Sequence, residues 1–116
     1  MFDFNNLEVY KKAKKSHLDI RTFLRTNKQI PRFYNDQLSR SSLSVTLNIA
    51  EGSGRITNSD RRHFYIIARG SVYETVALLD LICEEYALSG QTRSEILLNL
   101  ETISKMQSGL IRSMEK

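Results

Sequence analysis

Two stretches decide how this chain is read: Asn48-Ile49-Ala50-Glu51-Gly52-Ser53-Gly54-Arg55 and Ala68-Arg69-Gly70-Ser71-Val72-Tyr73-Glu74. Both put Gly, Ala and Ser beside a carboxylate and an Arg, inside segments whose apolar residues otherwise recur at helical spacing. A plain helical bundle would carry Leu at such positions. Small and polar residues imply either a helix pressed close to a neighbour or a polar network between helices.

Outward from these runs, four helical segments account for almost the whole chain. The first begins at Asn5 or Asn6, with Asn5 and Glu8 spaced as a capping box. It buries a Val9, Ala13, Ile20 and Leu24 stripe flanked by Tyr10 and Phe23, and ends near Asn27. Pro31 punctuates the chain before the second, which runs from about Arg32 to Ser53. Gly52 and Gly54 are expected to close it through a left-handed residue. The third starts between Thr57 and Asp60 and continues to about Leu88, where Ser89-Gly90 stops it. Thr92 and Glu95 form a capping box for the fourth, which carries Ile96, Leu97, Leu100, Ile103, Met106, Leu110 and Ile111. Short connections turn each helix back on the last. The expected fold is all-α: an antiparallel, up-down-up-down four-helix bundle forming a single domain over residues 1–116.

Composition agrees. A chain of 116 residues supports one core and not two. One Pro and five Gly are too few breakers for a turn-rich β fold. The lone Cys83 has no partner for a disulfide, sits among Leu79, Leu81 and Ile82, and reads as a small buried hydrophobe. The N-terminal Met1-Phe2-Asp3-Phe4-Asn5-Asn6 does not resemble a secretory leader, and no apolar run is long enough to span a membrane. A cytoplasmic, reducing setting is expected, with the ends, Met1 to Phe4 and Ser113 to Lys116, frayed.

The net charge of +4 is unevenly spread: residues 1–30 hold seven Lys/Arg against three Asp/Glu, whereas residues 58–88 hold three against five. Lys11, Lys14, Arg21, Arg25 and Lys28 follow a 3,4,3,4 spacing, with Leu18 at the remaining position. They point away from the apolar stripe of the first helix, and Lys12 and Lys15 widen the patch. Like charges so spaced repel by several tenths of a kcal/mol each. Only Glu8 and Asp19 offer local relief, so the cluster would gain by meeting phosphates. The alternative is a solvated face. Nothing encodes base readout.

The second helix has a polar stripe, Gln37, Ser41, Ser44, Asn48, Glu51 and Arg55, between two apolar seams. Leu38, Val45 and Ile49 form one seam; Leu43, Leu47 and Ala50 form the other, which a second subunit would cover. In the third helix Gly70 costs about 1 kcal/mol relative to Ala, and close approach of a neighbouring backbone is the expected reason. Glu74 lies one turn beyond it; if buried it needs a partner, for which Arg69, Arg55 and Arg40 are candidates. Asn48, Glu51, Arg69, Gly70, Ser71 and Glu74 are therefore candidates for an oligomer contact or a structural polar network. Catalysis finds no support. The chain has two His, no Glu-x-x-His pair and no phosphate loop, so no catalytic residue, metal or cofactor is expected.

Several of these stretches carry a resemblance. Asn48 to Gly52 is similar to the stretch that ends the second helix in the family of proteins encoded in intervening sequences of bacterial 23S rRNA genes. Ser71 to Glu74 resembles its Ser-x-x-Glu unit, Tyr10 to Ala13 its first-helix start, and Gln37 with Arg40, Ser41 and Ser42 its second-helix run. That family includes the accessory variability protein of diversity-generating retroelements. The resemblance implies a four-helix bundle, assembly into a barrel-like homopentamer and, in some members, a basic surface that binds nucleic acid together with a reverse transcriptase. The functional expectation is a non-enzymatic, self-assembling bundle that binds RNA or DNA through Lys11, Lys14, Arg21, Arg25 and Lys28. The competing expectation is a protein-interaction or scaffold module.

Overall fold

Val9, Ala13, Ser16, Ile20, Phe23 and Leu24 recur every three to four residues, and they are the buried face of α1 (Glu8–Thr26). The computed structural model describes residues 2–115 and continues with α2 (Arg32–Ser53), α3 (Asn58–Glu85) and α4 (Gln91–Ser113). Each helix packs on its sequence neighbours and α4 returns to α1, so the four stand at the corners of a square. This is the antiparallel bundle that short connections require. The molecule measures 46 × 25 × 23 Å, the length being that of α3 at about 1.5 Å per residue. Leu38, Ile49, Leu79, Ile82, Ile96, Leu100 and Ile103 are wholly enclosed along its axis. Each such side chain contributes roughly 1.5–3 kcal/mol on leaving water.

The helix ends depart from the sequence reading in four places. Asp3–Asn6 form a 3-10 turn, and α1 begins at Glu8 behind Leu7, with no side-chain cap. Phe4 meets Tyr10 edge to face at 4.8 Å, and this aromatic contact shapes the entry instead of the Asn5–Glu8 box. Phe2 and Phe4 stack at 6.0 Å in this ordered entry; Met1 and Lys116, at the ends expected to fray, lie outside the described residues. Gly54, which closes α2, is right-handed (φ −88°) and not left-handed. The third helix stops at Glu85, before Leu88. Ala87 takes φ 53°, and the Leu88 N–H bonds the Cys83 carbonyl at 2.9 Å, a left-handed C-terminal closure built on Ala. Helix α4 starts at Gln91 behind Gly90 (φ 122°), so Thr92 and Glu95 lie inside it and form no cap. Thr57 does cap α3, its hydroxyl accepting from the Asp60 N–H at 3.1 Å.

The α2–α3 seam explains the small residues. Thr75 Oγ1 lies 2.9 Å from Ser41 Oγ and 2.7 Å from the Ser71 carbonyl, its one proton serving either. Ser71 and Ser44 hydroxyls meet at 2.9 Å, and Asn48 Nδ2 donates to the Ser44 carbonyl at 2.9 Å. The ladder satisfies polar groups that close helix packing buries. Gly52 extends it: a Cβ there would fall 2.8 Å from Cε1 of the buried Tyr65 ring. Gly70 is the opposite case. It is exposed, and no atom lies within 4 Å of where its Cβ would be. The expected backbone approach at Gly70 is absent within the bundle; the crowded glycine is Gly52, and side-chain atoms of Tyr65 and Phe64 crowd it.

Candidate nucleic-acid interface

Amphipathic α1 must turn Val9, Ala13, Ile20 and Leu24 inward, and this sends Lys11, Lys14 and Arg25 outward into solvent. Lys28 lies two residues past the helix and is also exposed. Arg21 is half-buried against α2, where its Nη1 donates to Ser39 Oγ at 2.9 Å. That bond fixes one edge of the guanidinium and leaves the other N–H groups of the fork outward. Arg25 Nη2 donates to Thr22 Oγ1 at 3.2 Å.

Counter-charge on this face is sparse. Lys11 reaches Glu8 at 3.4 Å, an exposed pair of small worth. Lys15 pairs with Asp19 at 2.7 Å, a bond that holds its ammonium proton above the ordinary lysine range. Among the described residues Lys14, Arg21, Arg25 and Lys28 meet no carboxylate within 4.0 Å. Lys12 is half-buried, and its backbone carbonyl accepts from Asn99 Nδ2 of α4 at 3.0 Å. A cleft of about 490 Å³ opens on the basic face, lined by Tyr10, Lys11, Lys14, Lys15 and Leu18 among others. Tyr10 is thus a rim residue of the face. Tyr65 belongs to the core, and Tyr34 is tied to Glu85 at 2.8 Å.

His17, beside this face, is half-buried, with Nδ1 2.6 Å from Ser42 Oγ. Burial first, and Arg21 second, lower its pKa below the ordinary 6.5. Cys83 is enclosed, and burial raises its thiol. Both groups are packed structural members.

The polar residues around the two signature runs do not form one cluster. Asn48 and Ser71 belong to the α2–α3 ladder. Glu51 pairs with Arg55 at 2.6 Å, and that guanidinium lies 4.4 Å over the Phe64 ring, closing the corner above Gly52. Arg69 turns the other way, toward α4, its Nε donating to Ser108 Oγ at 2.9 Å. Glu74 is exposed and has no ion-pair partner among the described residues, so it is no buried member of a network. Among these residues no three His, Cys, Asp or Glu come together as a metal site, and no helix is long and apolar enough to cross a membrane.

A family model described as 23S rRNA-intervening sequence protein matches residues 5–109. The chain belongs to that family. Its bundle is similar to the crystal structure of a protein of unknown function from the S23 ribosomal protein family of Bacteroides thetaiotaomicron. The TM-score is 0.80, over 89% of this chain and 97% of that one. At 22% identity the likeness is one of fold. A comparison with curated proteins finds no match. The matched region takes in both signature runs, of which Asn48 and Ser71 belong to the α2–α3 seam and Gly52 to the corner under Tyr65.

Proposed function

We propose that this member of the family is a non-enzymatic nucleic-acid-binding bundle acting in the cytoplasm, and that Lys11, Lys14, Arg21, Arg25 and Lys28 contact phosphates of RNA or DNA. The observation that carries this is that, of these five cations, all but Lys11 lack a carboxylate partner among the described residues. Arrangement along a helix edge suits a backbone followed by charge, without base readout.

Self-assembly, with a homopentamer as the expected state, is the second part of the proposal. Its support is the outward apolar surface of the middle helices: Leu47 and Leu81 stand 56% and 55% exposed, with Leu43 and Ile67 also open. The apolar seam expected on α2 does point out of the bundle. A ring would repeat the basic face, so weak contacts would add by avidity. A reverse transcriptase is the protein partner the family resemblance suggests. The alternative, a scaffold module without nucleic-acid binding, would use the apolar surface alone.

Fluorescence anisotropy with structured RNA and duplex DNA separates these. A Lys14→Glu/Arg25→Glu/Lys28→Glu variant of unchanged mass should lose binding. Retained binding would remove α1 from the interface, and absence of binding by the wild type at low salt would favour the scaffold.

A further inference from the structure

On the seam between α3 and α4, three arginines converge that no single helix brings together. Arg62, Arg69 and Arg112 line a cavity of about 490 Å³ with Gly70, Ser108 and Glu115. One carboxylate faces three guanidinium groups: Glu115 Oε2 lies 3.5 Å from Arg62 Nη2. Arg69 and Arg112 meet no carboxylate within 4.0 Å among the described residues. The cavity thus carries two uncompensated positive charges.

Its geometry is prepared. Arg69 Nε donates to Ser108 Oγ at 2.9 Å and its Nη2 to Tyr73 Oη at 3.1 Å, with the guanidinium 4.9 Å from the Tyr73 ring centre. The side chain is held at three points while its Nη1 edge stays free to donate. The Arg62 Nε is enclosed and has no partner among the described residues. Gly70 supplies the remaining element. A glycine in the middle of α3 costs about 1 kcal/mol relative to Ala. Nothing in the bundle packs on it, yet it lines this cavity. A side chain there would rise from the cavity wall, and its absence keeps the space open.

We propose that this cavity binds a phosphate monoester. A monoester carries about −1.5 to −2 charges at neutral pH and three acceptor oxygens, matching the two uncompensated charges and the forked donors. The ligand is either a small phosphorylated molecule or the phosphorylated 5′ end of a nucleic-acid chain. The site is independent of the α1 face, and its presence does not depend on α1 contacting nucleic acid.

Isothermal titration with adenosine 5′-monophosphate and with inorganic phosphate tests it. Wild type should bind, and Arg112→Ala and Gly70→Leu should each weaken binding by about tenfold or more, as loss of a charge-assisted contact or of the space requires. Glu115→Gln should tighten it several-fold by freeing Arg62. The Lys14→Glu/Arg25→Glu/Lys28→Glu variant should bind the small probes as wild type does. In that background, tighter binding of a 5′-phosphorylated than of a 5′-hydroxyl oligonucleotide assigns the ligand to chain ends, and equal binding of the two with retained binding of the monophosphate assigns it to small molecules. Failure of wild type to bind either small probe overturns the proposal, as does wild-type affinity in both Arg112→Ala and Gly70→Leu. A Gly70→Leu variant that keeps phosphate affinity but changes native mass overturns it in favour of a contact between copies.

Discussion

Adding one methyl group at Gly52 or at Gly70 should move stability in opposite directions. Both glycines lie inside helices, where Gly→Ala is favourable by about 1 kcal/mol because the unfolded chain loses backbone freedom. At Gly70 nothing opposes that gain, since no atom lies within 4 Å of the new Cβ. Gly70→Ala should therefore stabilise by about 1 kcal/mol. At Gly52 the same Cβ would fall 2.8 and 3.0 Å from two ring carbons of Tyr65 and 3.1 Å from Phe64 Cβ. Carbon contacts relax near about 3.5–4.0 Å, so a ring only 3% exposed must shift by more than half an ångström. The Phe64 contact involves a Cβ next to the backbone and yields little. Overpacking of this kind costs about 1–3 kcal/mol, and Gly52 is the penultimate residue of α2, where the helical gain is smallest. The clash wins, and Gly52→Ala should destabilise by roughly 1 kcal/mol, a spread of about 2 kcal/mol between the variants. Urea unfolding followed by circular dichroism, at two protein concentrations to expose any association, measures both. A Gly52→Ala protein as stable as wild type would refute the close α2–α3 packing, and a destabilised Gly70→Ala would mean that something covers α3.

Three further expectations follow from single residues. Gln107 is wholly enclosed in α4, and neither end of its amide finds a partner among the described residues, so Gln107→Met should raise stability by about 1–3 kcal/mol; a loss in urea unfolding would show the amide to be satisfied. Ala87→Gly should stabilise by about 1 kcal/mol, because φ 53° strains any residue with a Cβ; an unchanged unfolding midpoint would mean that the turn relaxes. His17 has its folded pKa below the unfolded 6.5, so below pH 6.5 the unfolded chain takes up a proton that the folded one refuses. Its contribution is complete above 6.5 and falls as pH drops through 6.5 toward the folded value. Thermal unfolding from pH 7.5 to 5 should show a steeper loss in wild type than in His17→Gln, and parallel curves would contradict this.

The helices were legible because each has an apolar period the bundle must bury; Val9 to Leu24 and Ile96 to Ile103 need no tertiary knowledge to be placed. Their ends were less so. Asn5–Glu8 and Thr92–Glu95 have capping-box spacing, but a Phe4–Tyr10 contact and the positive φ of Gly90 set the chain's entry at other residues. Small residues announced close packing without saying where. In the sequence Gly52 reads as a helix stop and Gly70 as the point of close approach, and the position of Tyr65 is what makes Gly52 the crowded one. The α1 cations were legible as one face, since a single helix fixes their direction. Their surroundings were not: the Arg21–Ser39 bond and the Asn99 contact to the Lys12 carbonyl come from α2 and α4. The Arg62, Arg69 and Arg112 cavity was invisible for the same reason, as its third arginine arrives from another helix.

The most direct test of the basic face is the salt dependence of duplex-DNA binding, measured by anisotropy on wild type and on Lys14→Glu/Arg25→Glu/Lys28→Glu. Each phosphate neutralised contributes about −0.9 to the slope of log affinity against log salt. If α1 meets phosphates, wild type should give a slope of several units, and the variant should bind too weakly to measure or with a much shallower slope. A flat wild-type slope, or equal slopes in the two proteins, would contradict the assignment of phosphate contacts to α1.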